Sequence, residues 1–161
     1  MKKLSSTQWK TILLSSLGGG LEYYDFVIFI VFAQYIGKNF SFSEPENAVT
    51  QVFFSLSLFA IGYLARPIGG ILFSHLGDKF GRKKAFSLSI SIMALSTLFM
   101  GLLPSYQSIG LAATIIFTVL RIIQGLSLGG ELPGAITFLK EHCYERPGLA
   151  CGILFFCVNT G

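Results

Sequence analysis

Residues 76–84 read LGDKFGRKK, and residues 85–103, which follow directly, read AFSLSISIMALSTLFMGLL. The first segment is short and rich in cations, whereas the second contains no charged residue. A helix that crosses the roughly 30 Å hydrocarbon core of a bilayer needs about 20 consecutive apolar residues. This pair of segments therefore predicts a polar loop followed by a membrane-spanning helix.

The same alternation of apolar runs and polar loops extends over the whole sequence. The apolar runs cover residues 12–36, 49–76, 85–103, 109–130 or beyond, and 149–161. The first four are long enough to span a bilayer, and the fifth is too short for a full crossing. They also lack the alternation of apolar and polar residues typical of barrel strands. We therefore expect an all-α membrane protein with four full spans and part of a fifth.

Composition supports a lipid environment. Hydrophobic residues make up 52% of the sequence and charged residues 12%, against about 25% charged in a soluble domain. The net charge of +4 comes from cations in loops, and no basic face of useful size suggests nucleic-acid binding. The sequence has no nucleophile–base pair and no set of metal ligands, so we expect no enzyme activity, cofactor or metal.

The loop charges predict an orientation. Cations are concentrated in the N-terminal tail and in the loops after the second and fourth spans, whereas the alternate loops contain only Lys38. The concentrated cations are Lys2, Lys3, Lys10, Lys79, Arg82, Lys83, Lys84, Lys140 and Arg146. Because cytoplasmic loops carry the excess of Lys and Arg, we expect a multi-pass protein with a cytoplasmic N-terminus.

Several ionisable residues fall inside or at the edge of the apolar runs. A charge at mid-helix costs about 2.5–3.5 kcal/mol on insertion scales. Proteins keep such residues mainly where they pair or line a wet cavity. They are Glu22, Asp25, Arg66, Arg121 and Glu131.

Glu22 and Asp25 are three residues apart, which places them on one face of the first span. Mutual repulsion and burial favour the protonated form of one of the two carboxyl groups. Such a group can carry a proton through the site. The alternative is that both carboxylates form ion pairs that only hold helices together.

Arg121 lies about halfway along the fourth span. A guanidinium group keeps its charge, so it needs an anion: a carboxylate of the first span, an anionic substrate group, or both in turn. Gln124 and Gly125 share its helix face. Gly125 and Gly129 form a G-x-x-x-G pair, which allows a neighbouring helix to approach closely.

Arg66 and Pro67 lie toward the cytoplasmic end of the second span. Pro67 removes a helix hydrogen bond and can kink the span. Two roles for Arg66 remain open: its side chain reaches the inner membrane surface, or it takes part in gating.

The loop from Ser74 to Lys84 resembles the cytoplasmic loop signature of the major facilitator superfamily, with Ser74 where the general pattern has Gly. Within it, Gly81 permits a tight turn. Asp78 can cap a turn or pair with a basic residue, and Arg82 and Lys83 belong to the basic cluster. Arg121-x-x-Gln124-Gly125 is similar to the superfamily's second signature.

Three further strings resemble the metabolite:proton symporter branch of that superfamily, which includes bacterial transporters of proline/betaine, ketoglutarate, shikimate and citrate. These strings are EYYDF at 22–26, with Tyr23 where the branch often has Trp, LARPIGG at 64–70 and GLSLGGE at 125–131. The resemblance implies proton-coupled symport of a small polar metabolite or osmolyte across the bacterial cytoplasmic membrane.

The resemblance also implies roles for the selected residues. Glu22 or Asp25 would bind the proton, with Arg121 as counter-charge and, with Gln124, a possible substrate contact. A gating and cytoplasmic-loop group would contain Arg66, Pro67, Asp78, Gly81, Arg82, Lys83 and Glu131. The fold implied has twelve spans in two bundles, and this chain covers about the first third, so we expect the second bundle to be required for activity.

Two alternatives remain. The chain could be a truncated, transport-inactive membrane fragment or an interaction module that needs another polypeptide. It could also be a four-span transporter that works as a dimer, although the unfinished fifth run argues against this.

Overall fold

The chain folds into helices. The computed structural model describes the backbone of residues 6–41, 48–143 and 146–160, and no strand occurs within these ranges. The helices are α1 (Ser6–Val31), α2 (Ala33–Phe40), α3 (Ala48–Phe80), α4 (Arg82–Leu102), α5 (Tyr106–Ile109), α6 (Leu111–His142) and α7 (Pro147–Thr160). The prediction of an all-α protein is confirmed.

Within the described residues, four helices are long and apolar enough to cross a membrane. These segments are Gln8–Val31, Ala48–Phe80, Arg82–Leu102 and Leu111–Glu141, and a shorter apolar helix covers Pro147–Thr160. Large apolar side chains point outward from them, and Ile71 is 75% exposed. A surface of this kind suits lipid as the solvent. The prediction of four helices long enough to span the membrane is therefore confirmed, and the partial fifth span stays a prediction.

The first apolar run is divided into two helices. α1 ends at Val31, and α2 begins at Ala33 after a turn at Phe32. The Phe32 amide still donates to the Ile28 carbonyl oxygen at 2.8 Å, so the chain bends with little loss of hydrogen bonding. The hydroxyl of Ser55 on α3 donates to the Ala33 carbonyl oxygen at 2.5 Å. This bond ties α2 to α3.

A one-residue turn joins α3 to α4. Gly81 has a φ of +97°, a conformation that L side chains rarely adopt. Its amide donates to the Gly77 carbonyl oxygen at 3.0 Å, and its own carbonyl accepts from the Ala85 amide at 3.2 Å. The two helices are thereby connected without an extended loop.

α3 and α6 pack backbone against backbone through glycine residues. A methyl group on Gly69 of α3 would overlap the Leu126 carbonyl group, and one on Gly125 of α6 would overlap the Gly62 carbonyl group. A methyl group on Gly129 would likewise overlap backbone atoms of α3. Small residues of this kind allow membrane helices to approach closely.

Two apolar clusters occur among the described residues and stabilise the bundle. One joins α1, α6 and α7 through Ile12, Leu139 and Leu154. The other joins α1, α2, α3 and α6, and its members are Phe29, Phe40, Leu58, Ala113 and Phe117. The polar residues of the membrane interior lie between these clusters along α1 and α6.

We expect Gly69→Ala to destabilise the bundle, because the new methyl group has no space against the Leu126 carbonyl group. Overpacking of this kind costs about 1–3 kcal/mol. Gly152→Ala is the matched control, since open space surrounds that α7 glycine and Ala favours helix there. Unfolding titrations with SDS in detergent micelles measure both variants. Equal stability of the two would contradict the close packing of α3 and α6.

Candidate functional site

A polar network joins α1, α4 and α6. The Gln124 Nε2 donates to Asp25 Oδ2 at 2.6 Å and to Thr97 Oγ1 at 2.9 Å. The Gln124 Oε1 accepts a hydrogen bond from Arg121 Nη1. Asp25 Oδ2 lies 3.6 Å from Arg121 Nη1, within ion-pair distance. Gln124 therefore bridges the carboxylate and the guanidinium group.

The network is buried at its Arg121 end and more open at its Asp25 end. Gln124 is fully buried and Arg121 is 5% exposed. The Asp25 side chain is 26% exposed. A charged pair that is removed from water needs compensating hydrogen bonds, and Gln124 provides them on both sides. The exposed edge of the carboxylate is open to a proton or a ligand, as is Thr97, which is exposed.

An aromatic ring covers the guanidinium group of Arg121. The Cζ atom lies 3.8 Å from the centroid of the Phe29 ring, in cation–π contact. Phe29 comes from α1 and lies one turn beyond Asp25, so both side chains reach Arg121 from the same helix.

A cavity of about 440 Å³ opens beside the network. This volume lies within the range of small-molecule sites. Asp25, Thr97 and Arg121 contribute its charged and polar wall from the network, and Tyr35 and Asn39 add polar groups from α2. The remaining lining residues are Ile28, Phe29, Ile36, Phe40, Met100, Gly101, Leu103, Ser105 and Phe117. The arrangement is suited to a small ligand with charged and apolar parts.

Arg66 and Pro67 lie on α3, away from this cavity. Arg66 is half-buried, and its Cζ atom lies 5.2 Å from the Tyr63 ring. A narrow gap lined by Gly62 and Gly125 separates Arg66 from Arg121. α3 continues as a helix through Pro67, which is exposed.

The predicted cytoplasmic-loop residues meet at the turn between α3 and α4. Arg82 Nη2 lies 2.6 Å from Asp78 Oδ1, across one helical turn. Gly81 is the turn residue, and Lys83 is exposed. None of these four residues lines the cavity.

Glu131 is 1% exposed and lies inside the bundle. The sequence resemblance assigns it to the gating and cytoplasmic-loop group. A methyl group on Gly18 of α1 would lie 2.9 Å from its Oε1. Its gating role stays a prediction. Glu22 belongs to α1, but its side chain lies outside the described residues, so its pairing with Asp25 also stays a prediction.

Sequence reasoning missed Thr97 and Phe29. Thr97 is one of several hydroxyl residues in α4, and nothing in the sequence distinguishes it from Ser91 or Ser96. Phe29 had a usable signal, because it lies four residues after Asp25 and therefore on the same helix face. Among the described side chains, no group of His, Cys, Asp and Glu could hold a metal ion.

Comparisons with known proteins place the chain in a transporter family. The family model described as Major Facilitator Superfamily matches residues 15–161. A Staphylococcus aureus (strain COL) protein named "Putative proline/betaine transporter" is 45% identical over 137 residues, which cover 85% of this chain and 29% of that protein.

A second relative is the "Proline/betaine transporter" of Escherichia coli (strain K12), with 40% identity over 137 residues, 85% of this chain and 27% of that protein. The chain thus spans less than a third of the length of these relatives. No solved structure matches it significantly.

We expect Asp25 and Arg121 to be strongly coupled in a double-mutant cycle. Arg121→Met leaves a half-buried carboxylate without its counter-charge, and Asp25→Leu leaves a buried guanidinium group, so each alone is destabilising. The double variant should lose less stability than the sum of the losses in the two single variants. We expect a coupling energy of about 1–3 kcal/mol from SDS unfolding titrations.

The Asp78–Arg82 pair, with an exposed carboxylate and a half-buried guanidinium group, is the control, tested as Asp78→Ala and Arg82→Ala. A solvated i,i+4 pair contributes about 0.3–0.5 kcal/mol. Additive effects of the Asp25 and Arg121 substitutions would mean that the two groups are not partners.

Proposed function

The chain belongs to the major facilitator superfamily, and from this membership we propose that it is the N-terminal part of a proton-coupled symporter for a small zwitterionic osmolyte or metabolite. The names of its relatives support proline and betaine as the substrate class. Both molecules carry one carboxylate and one cationic nitrogen at neutral pH. The proposed site offers a group of opposite charge to each of these: the Arg121 guanidinium group for the carboxylate and the Asp25 carboxylate for the cationic nitrogen.

The observation that carries the proposal is the position of Asp25 and Arg121 at one cavity. Their side chains lie 3.6 Å apart and both line a space of about 440 Å³. A permanent positive charge and an ionisable carboxyl group deep in a membrane protein are typical of ion pathways and substrate sites. Because the two groups lie within ion-pair distance, a change in the charge of Asp25 changes the force on the guanidinium group of Arg121.

We propose the following sequence of events. A proton that binds Asp25 neutralises the carboxylate and weakens its hold on Arg121. The substrate carboxylate then takes the place of Asp25 beside the guanidinium group. Substrate and proton are thereby bound together, and the bundle rocks to expose the site to the other side of the membrane. Glu22 remains a second candidate for the proton because it shares a helix face with Asp25.

The proposed orientation has a cytoplasmic N-terminus in the bacterial cytoplasmic membrane, in agreement with the positive-inside rule. In that orientation the Asp78–Arg82 pair lies at the cytoplasmic surface, where it would help to latch the inner gate with Lys83. Arg66, Pro67 and Glu131 are proposed to belong to the same gating region on α3 and α6.

We also propose that transport requires further spans. In secondary transporters of this kind, substrate binds between two helical bundles near the middle of the membrane. The chain corresponds to less than a third of its relatives' length and contributes only one wall of such a site. The alternative is a transport-inactive fragment or an interaction module in its own right.

A chimera tests this proposal. Residues 1–161 replace the matching segment of the Escherichia coli relative, and uptake of labelled proline and betaine is measured in cells that lack other carriers. We expect the chimera to accumulate substrate in response to an inward proton gradient. Asp25→Asn should reduce this uptake to background, because the side chain no longer binds and releases a proton.

Arg121→Lys should lower uptake by about tenfold or more, since an ammonium group lacks the planar fork of the guanidinium group. Asp78→Asn is the matched acidic control and should retain more uptake than Asp25→Asn. Membrane levels of all variants are compared by immunoblot. Normal proton-driven uptake by the Asp25→Asn variant would remove this carboxylate from the mechanism, and uptake by residues 1–161 alone would show that no further spans are needed.

A further inference from the structure

Arg121 contacts α1 through both an aromatic ring and a carboxylate. Its Cζ atom lies 3.8 Å from the centroid of Phe29, whereas its Nη1 lies 3.6 Å from Asp25 Oδ2. A charge-assisted hydrogen bond between such groups is about 2.7–2.9 Å long. The contact with the carboxylate is therefore looser than a hydrogen bond, while the contact with the ring is close packing.

Gln124 does not anchor Arg121 to α1 by itself. Both residues belong to α6, and the described hydrogen bond from Gln124 to α1 ends on Asp25 Oδ2. When Asp25 loses its charge, this link weakens along with the ion pair. Among the described side chains of α1, the Phe29 ring supplies a contact to Arg121 that does not depend on the charge of Asp25.

The Phe29 ring is itself held on two sides. Its centroid lies 6.2 Å from that of Phe59 on α3 and 6.4 Å from that of Phe117 on α6. Phe117 in turn stacks on Phe40 of α2, with 4.5 Å between ring centroids. Phe29 is only 6% exposed. Because rings from two other helices contact it and one of these is itself stacked on Phe40, the Phe29 ring is a rigid platform for the guanidinium group.

The charges around Arg121 make such a platform useful. Asp25 on α1 attracts the guanidinium group, and Arg66 on α3 repels it. The face of an aromatic ring carries the negative lobe of its quadrupole, which attracts a cation and does not titrate.

We propose that Phe29 is a positioning residue that keeps the guanidinium group of Arg121 directed at the cavity while Asp25 is protonated. Its role in transport rests on the function proposed above. In that cycle, Arg121 must stay in place during the interval between release of Asp25 and arrival of the substrate carboxylate. Phe29 holds it there by a cation–π contact.

Stepwise fluorination of the Phe29 ring tests the contact directly. Phenylalanine analogues with one, two or three fluorine atoms are introduced at position 29 of the 161-residue chain by nonsense suppression. Fluorine withdraws electron density from the ring face with little change in shape, so the cation–π attraction falls with each atom. SDS unfolding titrations then report the folded-to-unfolded ratio.

We expect this ratio to fall progressively, by about tenfold over the series, in the chain with Arg121. In the Arg121→Met variant the same series should change it by less than about twofold. Fluorination of Phe117, which packs on Phe29, serves as the positional control and should show no dependence on Arg121. Equal effects in both backgrounds, or at both positions, would overturn the proposal.

Uptake by the chimera measures the consequence for transport. Phe29→Leu should raise KM for the substrate by about tenfold with a smaller change in kcat, because a misplaced guanidinium group binds the carboxylate less well. Phe29→Tyr keeps an aromatic face and should restore KM toward the original value. An unchanged KM in Phe29→Leu would contradict the role in positioning. If the unsubstituted chimera carries no substrate, the proposed function fails, while the fluorination series still decides the contact itself.

Discussion

The bundle is organised around a charge that cannot be removed. Arg121 lies in the interior of an apolar helix and stays protonated under all ordinary conditions. Its burial is tolerated because α1 supplies a carboxylate and an aromatic face, and Gln124 hydrogen-bonds to both charged groups. Removal of any one of these partners would leave a desolvated charge, so the mutual position of α1 and α6 follows from this requirement.

The glycine contacts between α3 and α6 create the space in which this network is assembled. Gly62 and Gly125 bring the two backbones together directly beside Arg121. The Arg121 side chain lies against Gly62 of α3. Gln124, the residue before Gly125, faces α1 and α4, where it meets Asp25 and Thr97. The close packing of α6 on α3 and the polar network toward α1 and α4 thus lie side by side along one stretch of α6.

Much of the fold could be predicted because lipid imposes a simple rule on the sequence. Apolar runs of sufficient length predicted the long helices, and the spacing of Arg121 and Gln124 predicted their common face. The turn at Phe32 was not predictable, since it interrupts an apolar run without a Gly or Pro. Thr97 was not identified either, because a hydroxyl group in a Ser-rich helix gains its role only from the neighbour that tertiary packing provides.

The network depends on the contact between Asp25 and Arg121 in the interior of the helix bundle. Solid-state NMR on the chain in lipid bilayers, with ¹³C in the Asp carboxyl groups and ¹⁵N in the Arg guanidinium groups, measures this contact through dipolar recoupling. A close pair should appear that matches the 3.6 Å between Nη1 and Oδ2, and it should disappear in both Asp25→Asn and Arg121→Lys. A spectrum that is unchanged by either substitution would contradict the account.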